Sequence, residues 1–236
     1  MPAHPHAPAP PPDENEPPAR GRRLALALGV LGAVSAVIAA LVIFSNGGST
    51  APPEDPKAKV STNSRSVVMG APDAPKTVVV FEDFGSRASR EFEIASRDFL
   101  RVEAAEGKVR VEYHPFALSH GYSRDALEAW GAVLDGGTAQ QALAFHDLLF
   151  DRQPSDQGDD ASAADLEAWA VRTGVDKGVV SGEIERADSA FVDAARDGAR
   201  EAGVVVVPTV RFDGEAIRLG TGVEMADQLQ RQILED

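Results

Sequence analysis

A chain of 236 residues with 23 Lys and Arg against 37 Asp and Glu carries a formal charge of -14, and it contains no cysteine. The absent thiols exclude disulfides, thiolate nucleophiles and thiolate metal centres. The acidity argues against nucleic acid or anionic lipid as a partner, although an acidic surface is also an ordinary solubility device.

Residues 1–23 are rich in Pro, Ala and His and bring little apolar surface to bury, so a disordered segment is expected there. Arg20, Arg22 and Arg23 then precede an uncharged apolar run, residues 24–44. As a helix that run would span about 30 Å, the thickness of a bilayer core. The flanking arginines place the N-terminus in the cytoplasm and the rest of the chain outside the cell membrane. A cleaved signal peptide is the rival reading. Its apolar region would be shorter, and Ser45-Asn46-Gly47-Gly48 gives no clean cleavage site, so an uncleaved single-pass anchor is favoured. Residues 45–64, rich in Gly, Pro, Ser, Thr and Lys, read as a flexible tether. A folded domain is expected over 65–236.

Its first strong element is the β-branched run 77–81, a buried strand. A helix from Ser86 or Ser89 to about Ala104 should follow, with Phe92, Ala95, Phe99 and Val102 on one face. Residues 108–113 alternate, Val109, Val111 and Tyr113 facing one way and Lys108, Arg110 and Glu112 the other. A helical block then fills 123–202. Leu127, Trp130 and Leu134 share one face, and Leu143, Phe145 and Leu149 belong to the next helix. Ser162 and Asp165 signal a helix start, and Gly203 a helix stop. The tail returns to β structure through 204–207, Pro208 and 209–212, an Asp213-Gly214 turn and 215–219, and closes with a helix over 223–234. The order is β–α–β, a helical insertion, then β–β–α.

That order, with the local sequences at its two ends, resembles the DsbA-like branch of the thioredoxin fold across residues 65–236. Many members of that branch carry a strand ending Phe-x-Asp-Phe, then x-Cys-Pro-x-Cys, then a helix with an early Phe. The matching stretch here is Phe81-Glu82-Asp83-Phe84-Gly85-Ser86-Arg87-Ala88-Ser89-Arg90-Glu91-Phe92. Gly70-Ala71-Pro72-Asp73-Ala74-Pro75 is similar to the family's entry to that strand, and Val206-Val207-Pro208-Thr209 to its cis-proline loop. The resemblance implies an α/β, thioredoxin-like fold with an inserted helical subdomain over about 120–202, joined to one N-terminal transmembrane helix.

The resemblance also implies what is missing. Ser86 and Ser89 stand where the family has its redox cysteines, and Arg87 and Ala88 lie between them. A helix N-terminus favours a thiolate, but it supplies only about 1–2 kcal/mol, roughly one pKa unit, to a hydroxyl that starts far above a thiol's ~8.5. Redox inactivity is therefore expected. The family's buried glutamate near the end of the first strand corresponds to Val80, which agrees with a site relieved of redox work.

No catalytic residue is assigned with Ser86, Arg87, Ala88 and Ser89 in those degenerate positions. Either serine can instead cap the helix, and no histidine is placed beside them by sequence, His114 and His120 reading as ordinary strand-end and loop residues. Arg87 could attract an anion, or simply be solvated. Val207, Pro208 and Thr209 form the candidate peptide-binding segment: with a cis bond before Pro208, the Val207 main chain would be free to pair with an extended peptide. Neither cofactor nor metal is expected. The functional expectation is a binding, holdase or assembly factor for extracytoplasmic proteins or unfolded peptides, with no nucleic-acid partner. The alternative is a Ser-x-x-Ser transferase or isomerase that uses a small thiol.

Overall fold

The structure, a computed structural model, describes residues 58–63, 65–155, 161–178, 181 and 189–235. The expected anchor at 24–44 lies outside the described residues. No helix among the described residues is long and apolar enough to cross a membrane.

Six strands and six helices follow in the order β1 (Val60–Asn63), β2 (Ser66–Met69), β3 (Lys76–Glu82), α1 (Arg87–Ala105), β4 (Val109–Pro115), α2 (Tyr122–Gly136), α3 (Ala139–Asp151), α4 (Ala163–Arg172), α5 (Ser189–Glu201), β5 (Thr209–Phe212), β6 (Glu215–Ala216) and α6 (Gly222–Glu235). The strands form one sheet in the order β1-β2-β4-β3-β5-β6. β3 and β4 run parallel, with α1 as the crossover between them, and every other neighbouring pair is antiparallel. A parallel pair needs such a crossover because a hairpin cannot reverse the chain twice.

The alternation expected at β4 holds: Val109, Val111 and Tyr113 are buried beside Val78 and Val80 of β3. Burying so many β-branched and aromatic side chains contributes about 1.5–3 kcal/mol for each. The helical insertion packs through Leu127, Trp130, Phe145 and Leu149, all fully buried, and the Trp130 indole donates to the Ala142 carbonyl at 3.1 Å. Ser162 and Asp165 form the expected capping box of α4, and Gly203 follows α5 with a φ of +72°.

Four expectations are corrected. Residues 60–63 are not tether but the edge strand β1, held to β2 by main-chain pairing while Ser61, Thr62 and Asn63 face solvent. Helix α1 turns a different face inward: Ser89, Phe92, Glu93, Ser96 and Leu100 are buried, whereas Ala95 is exposed and Val102 is 53% exposed. The run 204–207 is not a strand, and β6 stops after Glu215–Ala216 rather than reaching Leu219. The run 204–207 has strand propensity but no strand pairs with it, and past Ile217, whose N–H still reaches the Val210 carbonyl at 3.0 Å, β6 has no partner strand.

α6 lies directly against α1. A Cβ added to Gly222 would sit 2.4 Å from the Phe92 nitrogen and 2.5 Å from the Ala88 carbonyl. Gly222→Ala must therefore push α6 off α1. We expect a loss of about 1–3 kcal/mol, read as a lower urea midpoint with an unchanged slope.

Candidate functional site

The site forms where β3 hands over to α1. Ser86 takes an extended conformation as the N-cap of α1, and its Oγ accepts from the Ser89 N–H at 3.2 Å. Ser89 is fully buried, and its own Oγ accepts from the Asp83 N–H at 3.3 Å. Both hydroxyls thus act as acceptors for the loop's own backbone. Gln153 ties the same loop from α3's far end, donating to the carbonyls of Phe84 at 2.6 Å and Ser86 at 3.1 Å. Ala88 is half-buried, and Arg87 is a largely exposed side chain 3.4 Å from Glu91.

Asp83 is the hub beneath. It is 3% exposed and accepts from the Gly85 N–H at 2.7 Å, the Ser123 hydroxyl at 2.6 Å and the Leu118 N–H at 2.9 Å. One carboxylate therefore joins the α1 loop, the segment after β4 and the first turn of α2. Gly85 lets these approach, since a Cβ there would meet the Ser123 Cβ at 2.9 Å.

The proline loop stands at the same end of the sheet. Thr209 pairs opposite Phe81, so Pro208 lies beside the end of β3, and the Val207–Pro208 bond is cis. Pro208 is buried, and Thr209 donates its hydroxyl to the Val206 carbonyl at 2.6 Å. Neither the N–H nor the C=O of Val207 has a backbone partner among the described residues. Val206 and Val205 are 39% and 89% exposed. The structure thus brings the two sequence-identified segments, 86–89 and 207–209, to one end of the sheet. His114 lies at this end too, opposite Phe81 on β4, stacked on its ring and 3.2 Å from Glu112, but among the described residues no hydrogen bond joins His114 or His120 to either serine.

A buried acid–base cluster is the part that sequence reasoning missed. A carboxylate does stand buried near the strand end, at Glu82, two residues beyond Val80. Glu82 Oε1 lies 2.6 Å from His146 Nε2, and the other ring nitrogen lies 3.3 Å from Asp147 Oδ1 and 4.0 Å from Glu93 Oε1. Burial works against a charge on His146, but the carboxylates of Glu82, Asp147 and Glu93 outweigh it and hold the imidazolium up to about 10. Burial pushes Glu93 up to about 7, opposed by His146. Arg97 donates to Glu93 Oε1 at 2.9 Å and to Asp151 at 3.0 Å. Glu82, Glu93 and His146 each follow a phenylalanine, in Phe81-Glu82, Phe92-Glu93 and Phe145-His146. That adjacency is the signal that could have found it.

The family model described as Thioredoxin matches residues 62–233. The chain belongs to the thioredoxin family. Solved structures similar to this thioredoxin-family chain are of the DsbA-like kind. The MdbA protein of Corynebacterium matruchotii, a thiol-disulfide oxidoreductase, is 20% identical over 74% of this chain and 92% of its own, with a TM-score of 0.61. Oxidised BdbD from Bacillus subtilis is 20% identical over 78% of this chain and 100% of its own, with a TM-score of 0.60. Reduced DsbA from Mycobacterium tuberculosis is 25% identical over 76% of this chain and 93% of its own, with a TM-score of 0.57. No match is found among curated proteins. The chain contains no cysteine, so it has no thiol with which to exchange disulfides.

Proposed function

We propose that this chain is a redox-inactive member of its family that binds extended polypeptide, as a holdase or assembly factor, outside the cell membrane. A single N-terminal helix over 24–44 holds it there in this reading, with residues 1–23 in the cytoplasm. The observation that carries the reading is the contrast between the two halves of the site. Both serine hydroxyls are committed to the α1 loop, whereas the Val207 main-chain donor and acceptor have no backbone partner among the described residues and stand beside exposed Val205 and Val206. Unpaired main chain next to apolar surface suits strand addition, in which backbone hydrogen bonds supply affinity and side chains supply preference.

The test uses the full-length chain and an unfolded, cysteine-free peptide library, with affinity followed by fluorescence anisotropy. A peptide that binds should lose about tenfold or more in affinity when alternate amide nitrogens are methylated, because each removed N–H costs about 0.5–1.5 kcal/mol and the methyl blocks approach. Unchanged affinity after methylation, or no peptide bound at all, overturns the reading.

The alternative, a transferase or isomerase using a small thiol at Ser86, needs a base to activate the hydroxyl. Neither serine contacts one, and each already accepts a backbone N–H. Calorimetry with glutathione is expected to give no heat. Binding heat lost in Ser86→Ala would favour this alternative instead.

A further inference from the structure

We infer that Glu82, Glu93 and His146 form a site for one divalent transition-metal ion in the interior of the domain. The donor atoms come from the end of β3, the second turn of α1 and α3, and all lie within 4.8 Å of one another. All three side chains are fully buried.

An unpaired buried oxygen points to an occupant. Glu82 uses only Oε1 and Glu93 only Oε1; the Oε2 of each is buried with no hydrogen-bond partner. Ser96, one turn beyond Glu93 on α1, has a buried hydroxyl that is also unpartnered. Orphaned carboxylate oxygens in a protein core are rare, because desolvation is then left uncompensated. A cation between them compensates both.

The surroundings are those of a second shell around metal ligands. A metal-binding histidine donates its other ring N–H to a carboxylate, which fixes the tautomer. Asp147 is placed to accept from His146 Nδ1, leaving Nε2 to the cation. Arg97 occupies Glu93 Oε1 and leaves Oε2 buried and without a hydrogen-bond partner. In a tetrahedral site with bonds of about 2.1 Å, neighbouring donors sit about 3.4 Å apart. The 2.6 Å contact of His146 with Glu82 and the 4.8 Å span of the set bracket that separation. On entry the cation takes the place of a proton on His146 Nε2, which leaves to solvent. One imidazole with two carboxylates suits zinc, manganese or ferrous iron; calcium and magnesium take oxygen ligands and are disfavoured by the ring nitrogen.

The experiment strips the full-length chain with a chelator, then titrates it with Zn2+ and, for spectra, Co2+. One Zn2+ per chain should survive gel filtration, Co2+ should give the visible bands of a low-coordinate nitrogen–oxygen site, and added Zn2+ should raise the melting temperature. Glu93→Gln and Glu82→Gln should each weaken binding by about a hundredfold. Changing His4 and His6 to Ala together should leave the stoichiometry intact, which separates this site from adventitious binding at the N-terminus. If Glu82→Gln fails to fold, Glu93→Gln decides. The inference is overturned if the natural chain retains no metal, or if Glu93→Gln retains it as tightly. Peptide binding at Val207 can fail without affecting any of these readouts.

Discussion

Replacing Asp83 by Ala should remove about 3–5 kcal/mol of folding stability. The carboxylate accepts from Gly85, Leu118 and Ser123, so it fastens the α1 loop, the segment after β4 and the first turn of α2 together. Its loss leaves buried donors without acceptors, at about 1–3 kcal/mol for each one that water cannot reach. A domain of this size holds about 5–15 kcal/mol in total, so a large share is at stake. Urea unfolding followed by the fluorescence of buried Trp130 reads the change directly. Asp83→Asn separates charge from shape. It keeps one acceptor oxygen and should recover part of the loss. A change under about 1 kcal/mol in Asp83→Ala would mean that this hub does not hold the loop.

The second large effect is a gain. Ser86→Cys combined with Ser89→Cys should form an internal disulfide under mild oxidation, where the natural chain can form none. Ser86 and Ser89 stand at the N-cap and third position of α1, adjacent on one side of its first turn, a spacing that brings the two Cβ atoms within reach of a disulfide. Glutathione disulfide is the oxidant: two thiols are oxidised, two molecules of glutathione are released, and the protein's mass falls by two hydrogen atoms. The Cys replacing Ser86 would sit at the free N–H groups of α1, which favour its thiolate and speed the exchange. The variant should then oxidise a reduced peptide dithiol at a rate well above buffer, with the natural chain indistinguishable from buffer. If the two thiols remain free, the correspondence of these serines with the family's redox positions is wrong.

The parts of the fold that could be read from the chain are those where local preference and tertiary packing agree. The alternation of Val109, Val111 and Tyr113, the Ser162 and Asp165 cap, and the Asp213-Gly214 turn each carry their own local cause. β1 carries none. Val60-Ser61-Thr62-Asn63 has the composition of a linker, and it becomes a strand through the main-chain partners that Ser66–Met69 supplies. α1 misled for the opposite reason. Hydropathy places Ala95 and Val102 inward, yet Glu93 and Ser96 are buried beside Phe92 and Leu100, because His146 of α3 and Arg97 one turn along α1 receive Glu93.

The site divides in the same way. Ser86, Ser89 and Pro208 could be found because they lie in local patterns. Glu82, Glu93 and His146 meet only after three separate elements are assembled, and nothing in their spacing along the chain announces the encounter.

The sheet's two rims differ from its proline loop in what they offer a stray strand. On one side the terminal ribbon is four residues dressed in hydroxyls and an amide; on the other it is a two-residue stub. Short, polar borders make poor templates for uncontrolled accretion. If the proposed peptide-binding role holds, a bound chain would meet little competition from those flanks.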